Sequence, residues 1–135
     1  MASETVLTNG VFDPLHYGHL LHFEAARKYG DRLVVSVTRD QYVNKGPRRP
    51  VFKEDQRAHL VGALRCVDEV VLVASSLEAL RLVRPNYFVK GSEYVGKLQP
   101  DDIEFCRRCD IKIVFTDEPV YSSTQLLRYY GSRHR

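Results

Sequence analysis

Short apolar runs alternate with amphipathic stretches along almost the whole chain, which has 135 residues. Runs such as LVVSV at 33–37 are short and rich in β-branched side chains, which is typical of buried strands. The stretches between them place apolar side chains near helical spacing, as Leu20, Leu21 and Ala25 do. The pattern predicts strands at residues 5–8, 33–37, 70–73, 87–90 and 111–116, helices at about 16–29, 54–66, 77–83, 100–109 and 122–130, and a polar loop at 39–52.

Strands that alternate with helices indicate βαβ units, in which successive strands lie parallel. The predicted fold class is therefore α/β, a Rossmann-like doubly wound parallel sheet. A chain of 135 residues can bury a core without disulfides or metals, and no internal repeat or linker divides it. We expect one domain over residues 1–135 with an ordered core at about 5–130.

The composition is ordinary for a soluble globular protein, with 44% hydrophobic and 27% charged residues. The apolar runs are too short to cross a bilayer, and the N-terminal MASETV has neither the basic nor the apolar part of a secretory signal. A net charge of +3 is too small to indicate nucleic-acid binding. We therefore expect a cytoplasmic protein with no membrane or nucleic-acid partner.

The cysteines indicate neither a disulfide framework nor a metal site. Cys106 and Cys109 form a CxxC, but a structural zinc site needs about four ligands and the chain has no second pair. A redox pair would follow a strand at a helix N-terminus, whereas this pair lies inside the charged helical stretch DDIEFCRRC. We expect incidental or packing cysteines.

The loops that follow the predicted strands differ from those that precede them. Four of the five loops after strands are rich in Gly, His, Lys, Arg or hydroxyl residues, as in NGVFDPLHYGH at 9–19 and KGSEYVGK at 90–97. The connections from helix to strand, such as YGD and RPN, are short and plain. In open parallel sheets, ligands bind beyond the carboxyl ends of the strands. The asymmetry predicts a site at that edge.

The loop at 9–19 contains two histidines three residues apart at a predicted helix N-terminus. His16 and His19 project from one helix face, and unpaired N–H groups with a positive dipole end lie beside them. Gly10 and Gly18 allow a ligand to approach the backbone. The arrangement suits a triphosphate, although lone histidines are more often surface or core residues. His22 is about 240° around the helix from His16, so a three-histidine zinc site is poor and no metal ligand is predicted.

Asp13, in the same loop, has two interpretations. It positions Mg²⁺ or the amines of neighbouring loops, or it forms an Asx turn before Pro14. The structural role is slightly favoured.

Other phosphate and hydrolase motifs are missing from the sequence. The chain has no GxxxxGK[ST] loop, no GxGxxG after the first strand and no GxSxG elbow.

GVFDPLHYGH resembles the G-x-F-D-x-x-H-x-G-H signature of the cytidylyltransferase-like nucleotidyltransferases. Further motifs follow in that family's order and extend the resemblance over residues 5–130. They are a loop with Lys45, RPVFKEDQR at 49–57, ALRCVDEV at 63–70, VKGSEY at 89–94 and SSTQLL at 122–127.

Within the family, the chain is most similar to the adenylyltransferase domain of the bifunctional heptose-phosphate enzymes of lipopolysaccharide synthesis. TNG before VFD, GDRLVVSV at 30–37, EDQRAHLVGAL at 54–64 and the KGSEY loop carry this similarity. The chain is also similar to the glycerol-phosphate cytidylyltransferases, with which it shares the histidine pair and ALRCVDEV. These enzymes have an Arg-Thr-Glu-Gly run where this chain has DEPVY at 117–121. The alternatives are a CTP-dependent cytidylyltransferase for glycerol or another polyol phosphate, and a non-catalytic nucleotide-binding module.

The resemblance implies transfer of NMP from ATP or CTP to a sugar or polyol phosphate, with Mg²⁺ accompanying the triphosphate and release of pyrophosphate. It also implies a homodimer and a fused or partner sugar kinase. It assigns catalysis to His16, His19 and Lys45, and the acceptor phosphate to Arg48 or Arg49. Ser122, Ser123 and Thr124 either hold the γ-phosphate or cap the last helix. Arg65 is either a phosphate ligand or a surface charge. The other implied nucleotide-binding residues are Thr8, Asn9, Gly10, Val11, Phe12, Asp13, Gly18, Lys90, Gly91, Glu93, Tyr94 and Tyr121.

Overall fold

A computed structural model describes residues 3–117, 123–124 and 127–128 of the chain. Strands and helices alternate, as the hydrophobic pattern predicts. The strands are β1 (Thr5–Gly10), β2 (Arg32–Thr38), β3 (Glu69–Val73), β4 (Tyr87–Gly91) and β5 (Lys112–Thr116). The helices are α1 (Tyr17–Arg27), α2 (Glu54–Gly62), α3 (Ser76–Val83) and α4 (Pro100–Arg108), and short 3-10 turns lie at Asp40–Tyr42 and Ser92–Tyr94.

The five strands form one parallel sheet in the order β3-β2-β1-β4-β5. The chain first builds outward from β1 to β3 and then returns to the other side of β1 to add β4 and β5. The direction therefore reverses between β1 and β4, which end at Gly10 and Gly91. Such a reversal opens a crevice at the carboxyl ends of the two strands. The predicted Rossmann-like α/β fold is confirmed.

Two apolar layers cover the faces of the sheet because successive strand side chains point to opposite sides. Val6 packs with α1 and α2 on one face, where Phe23 and Val61 are buried. Leu7 packs with α3 and α4 on the other face, which also buries Leu80 and Phe105. Cys106 belongs to this second layer, and the three cysteines are free thiols. No helix in the described ranges has the length and apolarity to cross a membrane.

Several element boundaries differ from the sequence prediction, and three of them have a local structural cause. The strand β1 continues through Asn9 and Gly10, because their backbones extend the ladder with β2. The helix α1 begins after His16, which is its N-cap rather than a helical residue. The helix α2 ends at Gly62 instead of near residue 66, because the amide of Leu64 bonds to a carbonyl three residues back in a tighter turn. The predicted helix at 122–130 lies largely outside the described residues. Within this range the structure describes 123–124 and 127–128, and both pairs are helical.

Arg57 of α2 is fully buried and joins three segments of the chain. Its Nε donates to the carbonyl of Phe52 at 2.8 Å, and its Nη1 donates to the carbonyl of Val11 at 2.8 Å. Its Nη2 forms an ion pair with Asp40 at 2.6 Å. The guanidinium therefore holds the loop between β2 and α2 against the turn that follows β1.

Replacing Arg57 with Met should lower the free energy of unfolding by about 3 kcal/mol, because two carbonyls and a carboxylate lose their buried donor. Urea denaturation followed by far-UV circular dichroism measures the change. Arg81→Met on the exposed side of α3 is the matched control and should shift stability little. Equal effects of the two variants would contradict the structural role of Arg57.

Candidate active site

A cavity of about 170 Å³ opens at the switch point between β1 and β4. The predicted site residues His16 and His19 line it from the start of α1. Ten predicted nucleotide-binding residues also line it, and they are Thr8, Asn9, Gly10, Val11, Phe12, Gly18, Lys90, Gly91, Glu93 and Tyr94. The structure thus brings together two loops that are about 70 residues apart in the sequence, as parallel pairing of β1 and β4 requires.

A tight turn connects β1 to this helix. Phe12 has a positive φ of 56° and folds its ring back into the core, where it is 5% exposed. A Cβ on Gly10 would lie 2.7 Å from that ring, so the absence of a side chain at Gly10 makes room for it. The ring of Phe12 also contacts His19 edge-on, with centroids 4.9 Å apart. The turn therefore places one wall of the cavity.

The two histidines cap the helix that carries them. The backbone N–H of Gly18 donates to Nδ1 of His16 at 3.1 Å, and the backbone N–H of His16 donates to Nδ1 of His19 at 3.1 Å. A backbone N–H is always a donor, so each Nδ1 must accept and each neutral ring carries its hydrogen on Nε2. The rings stack with centroids 3.8 Å apart. The helix start therefore fixes the tautomer and the orientation of both side chains.

Both imidazoles favour the neutral form. Burial lowers the pKa of His16 below its ordinary value of 6.5. Burial also lowers the pKa of His19 to about 3, assisted by the neighbouring His16, His22 and Lys45. At neutral pH the pair therefore offers N–H donors without positive charge.

Asp13 binds the loop between β2 and α2. Its carboxylate is 1% exposed and accepts the amides of Val51 at 2.7 Å and Phe52 at 2.8 Å, and Arg49 Nε at 2.9 Å. Burial alone would raise the pKa of Asp13, but the amides of Phe52 and Val51 and the charge of Arg49 lower it overall. The partners of Asp13 thus lie in a neighbouring loop, as in the first of the two interpretations, and not in an Asx turn before Pro14.

Arg49 does not match its predicted role as an acceptor-phosphate ligand. Besides Asp13, its guanidinium donates to the Asp13 carbonyl at 2.8 Å and to Thr124 Oγ1 at 3.2 Å. These contacts use three of its five N–H donors, and its side chain is only 9% exposed. Arg49 therefore joins the segment at 123–124 to the turn of Asp13, and little of its guanidinium is accessible to an acceptor phosphate.

The described hydroxyls of the SST segment divide into two roles. Ser123 Oγ donates to the carbonyl of Pro14 at 2.9 Å, so its hydrogen is not directed at a phosphate. Thr124 Oγ1 accepts from Arg49, which leaves its own hydrogen to donate. Tyr121 and Ser122, which were also predicted to contact the nucleotide, lie outside the described residues.

Lys45 and Arg48 lie in the exposed part of the same loop. Lys45 is close enough to the cavity for its charge to lower the pKa of His19. Burial and Arg49 lower the pKa of Lys45 itself, against the opposing effect of Asp13. Arg48 has a positive φ of 63° at the loop tip. Asp13 anchors this loop through the amides of Val51 and Phe52, and the roles of Lys45 and Arg48 stay predictions.

Lys90 supplies a second cation to the cavity. It is 8% exposed, and its ammonium lies 4.1 Å from the ring centroid of Tyr94. Burial lowers the pKa of Lys90, while the carboxylates of Asp102 and Glu93 oppose the shift. The side chain makes no hydrogen bond to another residue in the described part of the chain. An anionic ligand in the cavity would therefore gain a largely desolvated cation.

Arg65, which was predicted as a phosphate ligand or a surface charge, does not lie near the cavity. It lies in the exposed turn between α2 and β3, before the strand begins. Because all strands are parallel, the start of β3 is at the edge of the sheet opposite the cavity. The alternative, a surface charge, fits this position.

Two cavity residues were missed by the sequence prediction. His22 on α1 and Thr116 at the end of β5 line the same cavity. The signal for His22 was its spacing of three residues from His19, one turn further along the same helix. The sequence prediction considered His22 only as a third zinc ligand, and its position six residues from His16 argued against that role. Thr116 had no local signal, because its proximity depends on how β5 joins the sheet.

The described residues do not form a ready metal centre. No group of three His, Cys, Asp or Glu among them is arranged to hold an ion. The carboxylate of Asp13 is committed to three donors, so it fits Mg²⁺ poorly. The prediction that Mg²⁺ arrives with the triphosphate stays a prediction.

A Rossmann-like sheet that carries H-x-G-H on a helix N-terminus at its switch point is the arrangement of a nucleotidyltransferase. The sequence model of a family described as cytidylyltransferase-like matches residues 7–128. The chain therefore belongs to the cytidylyltransferase-like family of nucleotidyltransferases.

Similar proteins of known sequence or structure agree with this membership. A bifunctional protein HldE from Gluconobacter oxydans is 48% identical over 96 residues, which cover 68% of this chain and 20% of that protein. A protein of the same name from Trichlorobacter lovleyi is 43% identical over 95 residues, which cover 67% of this chain and 19% of that protein. The chain thus spans about one fifth of the length of these relatives. The crystal structure of a lipopolysaccharide core biosynthesis protein from Thermoplasma volcanium is 28% identical, with a TM-score of 0.73 over 88% of this chain and all of that one.

The lowered pKa values of His19 and His22 predict loss of stability in acid. The unfolded chain binds protons at these residues near pH 6.5, whereas the folded chain binds them only near about 3 and about 4. The free energy of unfolding should therefore fall as the pH drops from about 6.5 towards 4, by up to about 1.4 kcal/mol per pH unit for each histidine. Urea denaturation at pH 7.5 and pH 5 measures the slope. His19→Gln combined with His22→Gln should flatten it, and an unchanged slope would exclude these residues as its source.

Proposed function

We propose that this chain is a sugar-phosphate adenylyltransferase, which joins AMP from ATP to a heptose-phosphate-like acceptor and releases pyrophosphate. The observation that carries the proposal is the pair of stacked, tautomer-fixed imidazoles His16 and His19 at a helix N-terminus. Lys45 and the buried Lys90 lie beside the pair. Neutral donors, a helix dipole, Lys90 in the cavity wall and Lys45 near His19 together suit a polyphosphate.

The acceptor class is proposed from similarity. The sequence resembles heptose-phosphate adenylyltransferases, and the matched proteins include bifunctional HldE proteins and a lipopolysaccharide core biosynthesis protein. We therefore place the product in the supply of activated sugars for surface polysaccharide. Since the matched region is only about one fifth of these relatives, a sugar kinase in the rest of such a protein or in a partner would provide the phosphorylated acceptor.

The proposed reaction needs no covalent intermediate. A phosphate oxygen of the acceptor attacks the α-phosphorus of the triphosphate, an O–P bond forms, and the bond between this phosphorus and the bridging oxygen breaks as pyrophosphate leaves. Negative charge grows on the α-phosphoryl and leaving oxygens, where N–H donors of His16 and His19 would stabilise it. Lys45, with Arg48, would neutralise the acceptor phosphate from the anchored loop.

Removing either histidine should reduce kcat by about 10²–10³, the scale of one lost transition-state donor. His16→Ala and His19→Ala test this in a coupled assay of pyrophosphate release.

His16→Asn keeps a capping side chain and therefore separates the helix cap from the chemistry. It should retain the thermal midpoint and still lose turnover. His59→Ala on the exposed face of α2 is the control. Full turnover by both alanine variants would refute the catalytic role.

Replacing Lys45 with Ala should lower kcat more than it weakens nucleotide binding, because the cation acts on the acceptor and the pentavalent centre. Steady-state kinetics and calorimetry of ATP binding separate these effects. Lys28→Ala at the end of α1 removes the same charge from an exposed position far from the cavity. A kcat equal to that of the Lys28 variant would rule out a role for Lys45 in turnover.

The choice of base and acceptor is decided by a matrix of four triphosphates against heptose, glycerol and ribitol phosphates. ATP with a heptose phosphate is the expected productive pair. CTP with a polyol phosphate would instead support the cytidylyltransferase, and tight nucleotide binding without turnover would support a binding module. Either outcome would overturn the proposed adenylyltransferase.

A further inference from the structure

His22 links two strands that are not neighbours in the sheet. Its Nε2 lies 2.8 Å from Thr8 Oγ1 on β1, and its Nδ1 lies 3.1 Å from Thr116 Oγ1 on β5. The strand β4 separates β1 from β5, so the ring spans the carboxyl end of β4. Thr8 and Thr116 are 1% and 5% exposed, and all three residues line the cavity.

The ring of His22 has one donor and one acceptor. Burial, followed by the charge of Lys90, lowers its pKa to about 4, so the imidazole is neutral at physiological pH. One of its nitrogens must therefore donate to a threonine hydroxyl, and the other must accept from the second hydroxyl. The hydroxyl that accepts keeps its hydrogen for another partner, whereas the hydroxyl that donates can then only accept. The ring thus gives the two hydroxyls opposite polarity.

The same ring fixes the position of the catalytic helix. His22 follows His19 on α1 by three residues, which is close to one helical turn. Its two hydrogen bonds hold this turn of the helix against the ends of β1 and β5. A shift of α1 would therefore have to break contacts to both strands.

We propose that His22 is a positioning residue for the bound nucleoside triphosphate, because it orients the hydroxyls of Thr8 and Thr116 as one donor and one acceptor on the cavity floor. It acts through these threonines rather than on the reacting phosphorus. The inference rests on the proposed nucleotide site but not on turnover, so binding alone can test it.

The test replaces His22 with Phe, which keeps an aromatic ring of similar size and removes both hydrogen bonds. The Kd for ATP, measured by calorimetry with CTP in parallel, should rise about tenfold, which corresponds to one or two net hydrogen bonds. KM should rise with it, by a larger factor than that by which kcat falls. Circular dichroism must show a folded variant at the assay temperature, and His59→Phe on exposed α2 controls for an added aromatic ring.

Further variants distinguish positioning from general destabilisation. His22→Gln places an amide near the Nε2 position and should recover part of the affinity that the Phe variant loses. Thr116→Val should weaken ATP binding, and combining it with His22→Phe should add little, because both changes remove the same contact. An unchanged Kd in a folded His22→Phe variant, or fully additive effects, would overturn the proposal. A wild-type chain that binds ATP through His22 without releasing pyrophosphate would refute only the proposed enzyme activity.

Discussion

The carboxylate of Asp13 is the contact on which the arrangement of the site depends. It lies in the turn between β1 and α1, and it draws in two amides and a guanidinium from the loop that follows β2. Arg49 is buried because this carboxylate neutralises it, and it extends the connection to Thr124. The turn of Asp13, the loop at 49–52 and Thr124, which are far apart in sequence, are therefore held together through the Asp13 carboxylate. Lys45 belongs to this anchored loop, so its place near His19 depends on a carboxylate that is not part of the cavity lining.

The fold could be predicted from the sequence because the strands carry apolar side chains on both faces, which pack against two layers of helices. That burial produces short β-branched runs, and the helices between them allow only a parallel sheet. The boundaries were less predictable where polar residues extend an element. Asn9 and Gly10 continue β1 through backbone pairing, which side-chain hydrophobicity does not report. His16 caps α1, although Ser, Thr, Asp and Asn are the usual capping residues.

The sequence predicted the site residues that follow one another in a single loop. It could not assign roles to residues whose function depends on contacts with distant parts of the chain. The histidine loop forms one wall of the cavity because a single turn carries it. Among Arg48, Arg49 and Arg57, however, only the partners in three dimensions show which side chain is committed to structure and which is exposed. Arg65 shows the complementary error, since its position before β3 already assigns it to the opposite edge of a parallel sheet.

The distribution of charge in the cavity has a consequence for how a polyphosphate would bind. In the free protein the histidines of the cavity are neutral, because burial opposes their protonation. In His16 and His19, Nδ1 also accepts a hydrogen bond from a backbone N–H. The resident positive charge lies on lysines whose own pKa values are lowered by burial. An arriving polyanion raises every one of these pKa values, and the low dielectric that disfavours the cations alone strengthens their attraction to phosphate. The same burial that disfavours the lysine charges in the free protein therefore favours an anionic ligand over a neutral one of similar size.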